Sequence, residues 1–163
     1  MNTFKDNSID KLYMDSINSR LSQDAKKARI AILNFSIDQK KPFNIIEDKT
    51  AEIDVVLQEL IDRQAMIVSE DGNVDFIFPV STKPTQHKVS LQDGREFFAM
   101  CAIDALGSAF TFDCATKINS VCAHCNEPVA IEVRNGSVAY VSCNELRALH
   151  VDLNKSDDWS GSC

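Results

Sequence analysis

Glycine and proline are scarce, at five and four residues among 163, which excludes collagen-like and low-complexity architectures. Long apolar runs are missing too. The most apolar stretch, Phe97 to Ile103, is far too short to cross a bilayer. Met1 to Asp6 contain no apolar signal core, so a cytoplasmic location is expected rather than export. Positive charge is the minority sign, 17 Lys and Arg against 24 Asp and Glu, for a net charge of −7. What is present is an ordinary globular composition, 44% apolar and 25% charged, with length for one domain or two small ones. Six cysteines without an export signal read as thiols that bind metal, react or pack, rather than as a disulfide frame.

The chain divides at about residue 80. Ile9, Leu12, Tyr13, Ile17 and Leu21 follow helical spacing with Ser8 as cap, and a second helix is expected from Gln23 to Phe35. Ile53, Val56, Leu57, Leu60 and Ile61 predict a third, with Thr50 at its N-cap and Glu52 in its first turn. Ala65–Val68 and Val74–Phe78 flank Glu70-Asp71-Gly72-Asn73, a hairpin signal. Three helices and a hairpin outline a winged-helix unit. Its charge argues against a nucleic-acid role, because Pro42 to Val80 hold nine acids and two bases where phosphates would demand the reverse. Lys26, Lys27, Arg29, Lys40 and Lys41, on or just after the second helix, read as a solvated face. Residues 81–163 are richer in strands. His87–Leu91, Ile118–Val121, Val129–Val133 and Val138–Val141 are predicted as strands, with turns at Asp93-Gly94 and Arg134-Asn135-Gly136-Ser137, and Phe97–Leu106 as a strand end entering a short helix.

All six cysteines lie in this second part. In a helix, Cys101 and Asp104 share one face at i and i+3. An acid among so many apolar neighbours is expected to be desolvated, which raises its pKa and readies it to donate a proton. A thiolate is a soft ligand for soft metals. Together they can cleave a metal–carbon bond, the sulfur holding the metal while the acid protonates the departing carbon. The alternative is a Cys packed as a small hydrophobe and an Asp capping a nearby N–H. Cys122-Ala123-His124-Cys125 is a CxxC in a turn, half of a zinc-ribbon knuckle. Cys114 and Cys143 are the remaining partners, but neither has the spacing of a second half. A thioredoxin-like role lacks its βαβ context. His87, His124 and His150 are isolated in sequence and read as structural.

Pro84-Thr85-Gln86-His87-Lys88-Val89, then Asp93 to Leu106, then Cys122 with Pro128-Val129 six residues on, resemble the organomercurial (alkylmercury) lyases. The resemblance covers residues 50–135, and its distinctive part is the aromatic followed by Cys-Ala-x-Asp. It implies an α+β protein, a three-helix winged-helix-like unit without a nucleic-acid role (1–80) packed on a mixed α/β catalytic domain with short antiparallel strands (81–163). It implies protonolysis of carbon–mercury bonds to a hydrocarbon and Hg(II), by Cys101, Asp104 and a second cysteine near the C-terminus. Cys101 and that second cysteine would hold the metal, and Cys122 would be structural. Trp159-Ser160-Gly161-Ser162-Cys163 supplies Cys163 as the second cysteine, but the strand that follows it in the family is missing. Either the chain is a truncated member or Cys163 is not the equivalent residue. The resemblance also implies an organomercurial substrate, no cofactor beyond it, cellular thiols or a mercuric reductase as acceptor of Hg(II), and no membrane partner. Two other classes compete: a non-catalytic holder of Hg, Cu or Zn using Cys101, Cys122, Cys125 or Cys163, and a thiol-based DNA-binding sensor, which the acidic N-terminal part disfavours.

Overall fold

Ser22 starts the first long element. Its Oγ accepts from the Ala25 N–H at 3.2 Å, as an N-cap does, and helix α1 runs Gln23–Gln39. The computed structural model describes residues 17–148. The expected helix from Ile9, with its cap Ser8, lies mostly outside the described residues, and Ile17–Arg20 form a 3₁₀ turn. Helix α1 extends one turn past the predicted Phe35, because Ser36 and Ile37 continue its buried face.

The predicted third helix is two pieces, α2 (Ala51–Asp54) and α3 (Leu57–Asp62). The break falls at Val55-Val56, where Val56 reaches φ −118° and its N–H bonds Ile53 O only three residues back. Tandem β-branched side chains crowd the helical turn, which accounts for a break there. Thr50 occupies the N-cap position of α2 without capping it by side chain. Its hydroxyl instead bonds Glu52, helping to hold that carboxyl below its usual pKa after the larger effect of the Glu52 backbone N–H. Glu59 of α3 accepts from the Ser22 N–H at 2.6 Å and the Ser22 hydroxyl at 2.8 Å, tying α3 to the start of α1.

The strands are β1 (Met66–Val68), β2 (Val74–Ile77), β3 (Val80–Ser81), β4 (His87–Leu91), β5 (Glu96–Ala99), β6 (Thr116–Val121), β7 (Pro128–Arg134) and β8 (Ser137–Val141). Helix α4 (Ala102–Thr111) follows β5. All eight strands join one antiparallel sheet in the order β1-β2-β3-β5-β4-β6-β7-β8. The two-residue β3 was not anticipated. It pairs with β2 on one side and β5 on the other, so the sheet runs unbroken past residue 80.

The turns follow their sequence signals. Asn135 (φ 51°) and Gly136 (φ 70°) link β7 to β8, both left-handed as a two-residue hairpin of the I′ type requires. Gly72 (φ 83°) serves the β1–β2 turn, where an added Cβ would come within 3.1 Å of Ile46 Cδ1.

One face of the sheet is covered and the other is wet, as antiparallel sheets permit. Val89, Phe97, Ala99, Ile118 and Val133 are buried in the same core as Ala105 and Ala109 of α4 and as Ile32 and Leu33 of α1. The alternate residues carry cross-strand ion pairs, Lys88 with Glu96 at 2.8 Å and Lys117 with Glu132 at 3.7 Å.

Candidate active site at the start of helix α4

Strand β5 delivers Phe97 and Ala99 to the core, and the chain turns at Met100-Cys101 into α4. Cys101 is the N-cap residue, extended at φ −140° and ψ 176°, and its carbonyl accepts from the Ala105 N–H at 3.0 Å to close the first turn. Asp104 is the third helical residue, the position from which an acid reaches back to the N-cap N–H. It does so here: the Cys101 backbone N–H bonds the carboxyl, and the Cys101 thiol donates to Oδ2 with Sγ 3.2 Å away. The i, i+3 spacing read from the sequence therefore becomes a direct thiol–carboxyl contact, and the capping alternative holds simultaneously. The positive end of the α4 dipole lies at this sulfur, which favours negative charge there.

Asp104 is only 8% exposed. Burial pushes its carboxyl up to about 6, against the opposing pull of the two Cys101 hydrogen bonds and of the Arg29 charge. The expected desolvation is thus present. Ser108, fully buried one turn on, donates to Asp104 O at 2.9 Å and holds the helix turn that carries the acid.

Arg29 corrects the sequence reading. Expected on a solvated face with the lysines, it is 3% exposed, its Nε donating to Phe78 O and its Nη1 to Asn18 Oδ1, each at 2.9 Å. Burial lowers it to about 10, offset in part by attraction to Asp104, and it stays charged at neutral pH. The signal was available: Arg29 lies four residues after Ala25 and three before Ile32, on the apolar face of α1.

The strands beside the site are pinned at the same end. Thr85 Oγ1 donates to Ala99 O at 2.5 Å and accepts from the His87 N–H at 3.1 Å. His87 opposes Ala99 across β4–β5 and bonds Ser120 Oγ on β6 through Nδ1 at 2.8 Å. Desolvation lowers the His87 pKa, in keeping with its reading as structural. Phe97 packs in the core with its ring centroid 5.4 Å from that of Phe112. Phe98 is half-buried and Ile103 is 37% exposed. Cys122 and Cys125 sit in the β6–β7 turn, where the N–H groups of Cys125 and His124, then the Cys125 side chain, hold Cys122 below the usual thiol pKa. Cys114 is half-buried and Cys143 exposed. Cys163, Trp159 and His150 lie outside the described residues.

A thiol hydrogen-bonded to a desolvated carboxyl at a helix N-terminus, on an antiparallel α+β frame, defines a thiol-and-acid centre suited to soft-metal chemistry. The family model for alkylmercury lyase matches residues 80–163, and the chain belongs to that family. A crystal structure of the mercury-bound form of MerB2 shares the fold, with a TM-score of 0.56 at 26% identity over 77% of this chain. The match spans 63% of that protein's length. No curated protein matches the sequence significantly. Among the described residues no helix is long and apolar enough to cross a membrane.

Proposed function

We propose that this protein cleaves carbon–mercury bonds by protonolysis, with Cys101 and Asp104 as catalytic residues. The observation that carries the reading is the 3.2 Å contact between the Cys101 sulfur and a buried carboxyl whose pKa is raised to about 6. The Cys101 thiol passes its proton to Asp104 as its sulfur bonds the mercury of R–Hg⁺. Cys163 is assigned as the second thiol, raising the coordination of mercury and sending electron density toward carbon. Asp104 then returns the proton to carbon. The Hg–C pair becomes the new C–H bond, R–H leaves, Hg(II) remains on two thiolates, and one proton is released in net. A carboxyl titrating near neutrality suits this alternation of base and acid. A pure metal holder has no use for the buried acid, so the non-catalytic alternative is not favoured.

The reading extends to the surroundings. No cofactor is required beyond the substrate. Cellular thiols or a mercuric reductase accept the Hg(II), and the protein acts in the cytoplasm without a nucleic-acid or membrane partner. Residues 1–80 form a winged-helix-like supporting unit and residues 81–163 the catalytic one; the charge of Arg29, from the first, acts on Asp104 of the second. Methane or benzene release from methyl- or phenylmercury in excess thiol tests the function. Release is expected from the full chain and lost in Cys101→Ser and Asp104→Ala. Product no greater than in a thiol-only control overturns it.

A further inference from the structure

The hairpin turn between β6 and β7 carries two thiols that carbon–mercury cleavage does not use. Cys122 and Cys125 stand at i and i+3 in a turn closed by the Asn126 N–H on Cys122 O and by the Cys122 N–H on Glu127 O, both at 2.9 Å. Asn126 takes a left-handed φ of 59°, which turns the chain back toward β7. The Cys125 side chain and the backbone N–H groups of His124 and Cys125 are the close neighbours of the Cys122 sulfur.

We propose that Cys122 and Cys125 form a second soft-metal site, a two-coordinate dithiolate that takes Hg(II) at the same end of the sheet as Cys101.

The ligand count selects the metal. Zinc in a structural site takes four ligands, yet among the described residues no group of three or more His, Cys, Asp or Glu is placed to hold a metal. Two thiolates suffice for Hg(II), a soft ion that binds them in linear coordination. Access is open, since Cys125 is exposed and Cys122 half-buried. Location supplies the source. β5 ends at Ala99 just before Cys101, β4 begins at His87 opposite Ala99, and β6 ends at Val121 just after the Ser120 that bonds His87. Cys101 and the turn therefore leave the sheet at one end on strands two spacings apart, about 10 Å. Loading is ligand exchange without redox change. Two Hg–S bonds to outgoing thiolates break, two to Cys122 and Cys125 form, and the two cysteine protons leave on the released thiols. That the Hg(II) originates beside Cys101 rests on the lyase reading; the affinity of the turn for it does not.

The full reduced chain is loaded with mercuric chloride in excess glutathione, desalted, and its retained mercury counted. Cys125→Ser and Cys122→Ser are each expected to lose one equivalent, Cys101→Ser to keep the equivalent at the turn, and Cys143→Ser to match the parent. Because Cys125 is exposed, its variant should keep the parent far-UV circular dichroism, and X-ray absorption of the Cys101→Ser complex should show two sulfurs at mercury. Retention equal to the parent in Cys125→Ser, the same loss in Cys143→Ser, or four-sulfur coordination overturns the proposal. Hydrocarbon release on the same preparations separates the two readings. Mercury at the turn without release sinks the lyase alone, and release without mercury at the turn sinks this site alone.

Discussion

Two thiol centres lie at one end of one sheet, and they differ in their company. Cys101 shares its helix turn with a buried acid, whereas Cys122 shares its hairpin turn with a second thiol and backbone N–H groups. Both surroundings favour a sulfur ligand. Only the first stores a proton within reach of what the sulfur holds. The proposed distinction between cleaving and holding therefore resides in the neighbour of the thiol, not in the thiol.

The sharpest way to break that contrast is to remove the proton. Asp104→Asn keeps the shape of the carboxyl but not its acid–base function, and it should lower hydrocarbon release by about 10²–10⁴-fold while mercury retention at Cys122 and Cys125 is unchanged. Product release by gas chromatography beside metal counting checks both halves. Next in size is the buried cation. Arg29→Ala strands Phe78 O and Asn18 Oδ1, and urea unfolding should report a loss of about 2–4 kcal/mol. In the same variant the Asp104 carboxyl should titrate above its present value of about 6, because the Arg29 charge that lowers it is gone; carboxyl infrared bands would follow this, and an unmoved titration would show that Arg29 does not act on the acid.

A comparable effect is expected from pH. Asp104 holds its proton more tightly in the folded chain, at about 6 against 3.8. Its contribution is therefore most favourable below about pH 4 and is lost as pH rises to about 6, at a cost of about 3 kcal/mol. The Asp104→Asn variant should lack that component of the stability slope between pH 4 and 6. The smallest effect belongs to the hairpin. Cys125→Ser, on an exposed side chain, should move the melting temperature by no more than about 2 °C. A larger shift would mean that the turn supports the fold instead of serving a ligand.

Much of this architecture was legible in sequence. The turns at Asp93-Gly94 and Asn135-Gly136, the strand His87–Leu91, and the passage from Phe97 into a helix all carry local signatures, and each is observed. The third helix reads as continuous because apolar spacing survives across Val55-Val56 while helical geometry does not. Strand β3 was invisible since two residues hold no period, and its partners β2 and β5 are supplied from elsewhere in the chain. Arg29, a basic residue among lysines, reads as solvent-facing, although its helical position puts it on the buried side.

The sequence by itself determined most of the elements and the pairing of Cys101 with Asp104, since spacing along a helix is a property of neighbouring residues. Tertiary structure alone decided what that pairing does. The burial that lifts Asp104, the Arg29 charge that tempers it, and the register that sets the Cys122 turn at the same end of the sheet all come from segments remote in sequence. Desolvation and electrostatic fields depend on what surrounds a group in space, and no local pattern encodes that.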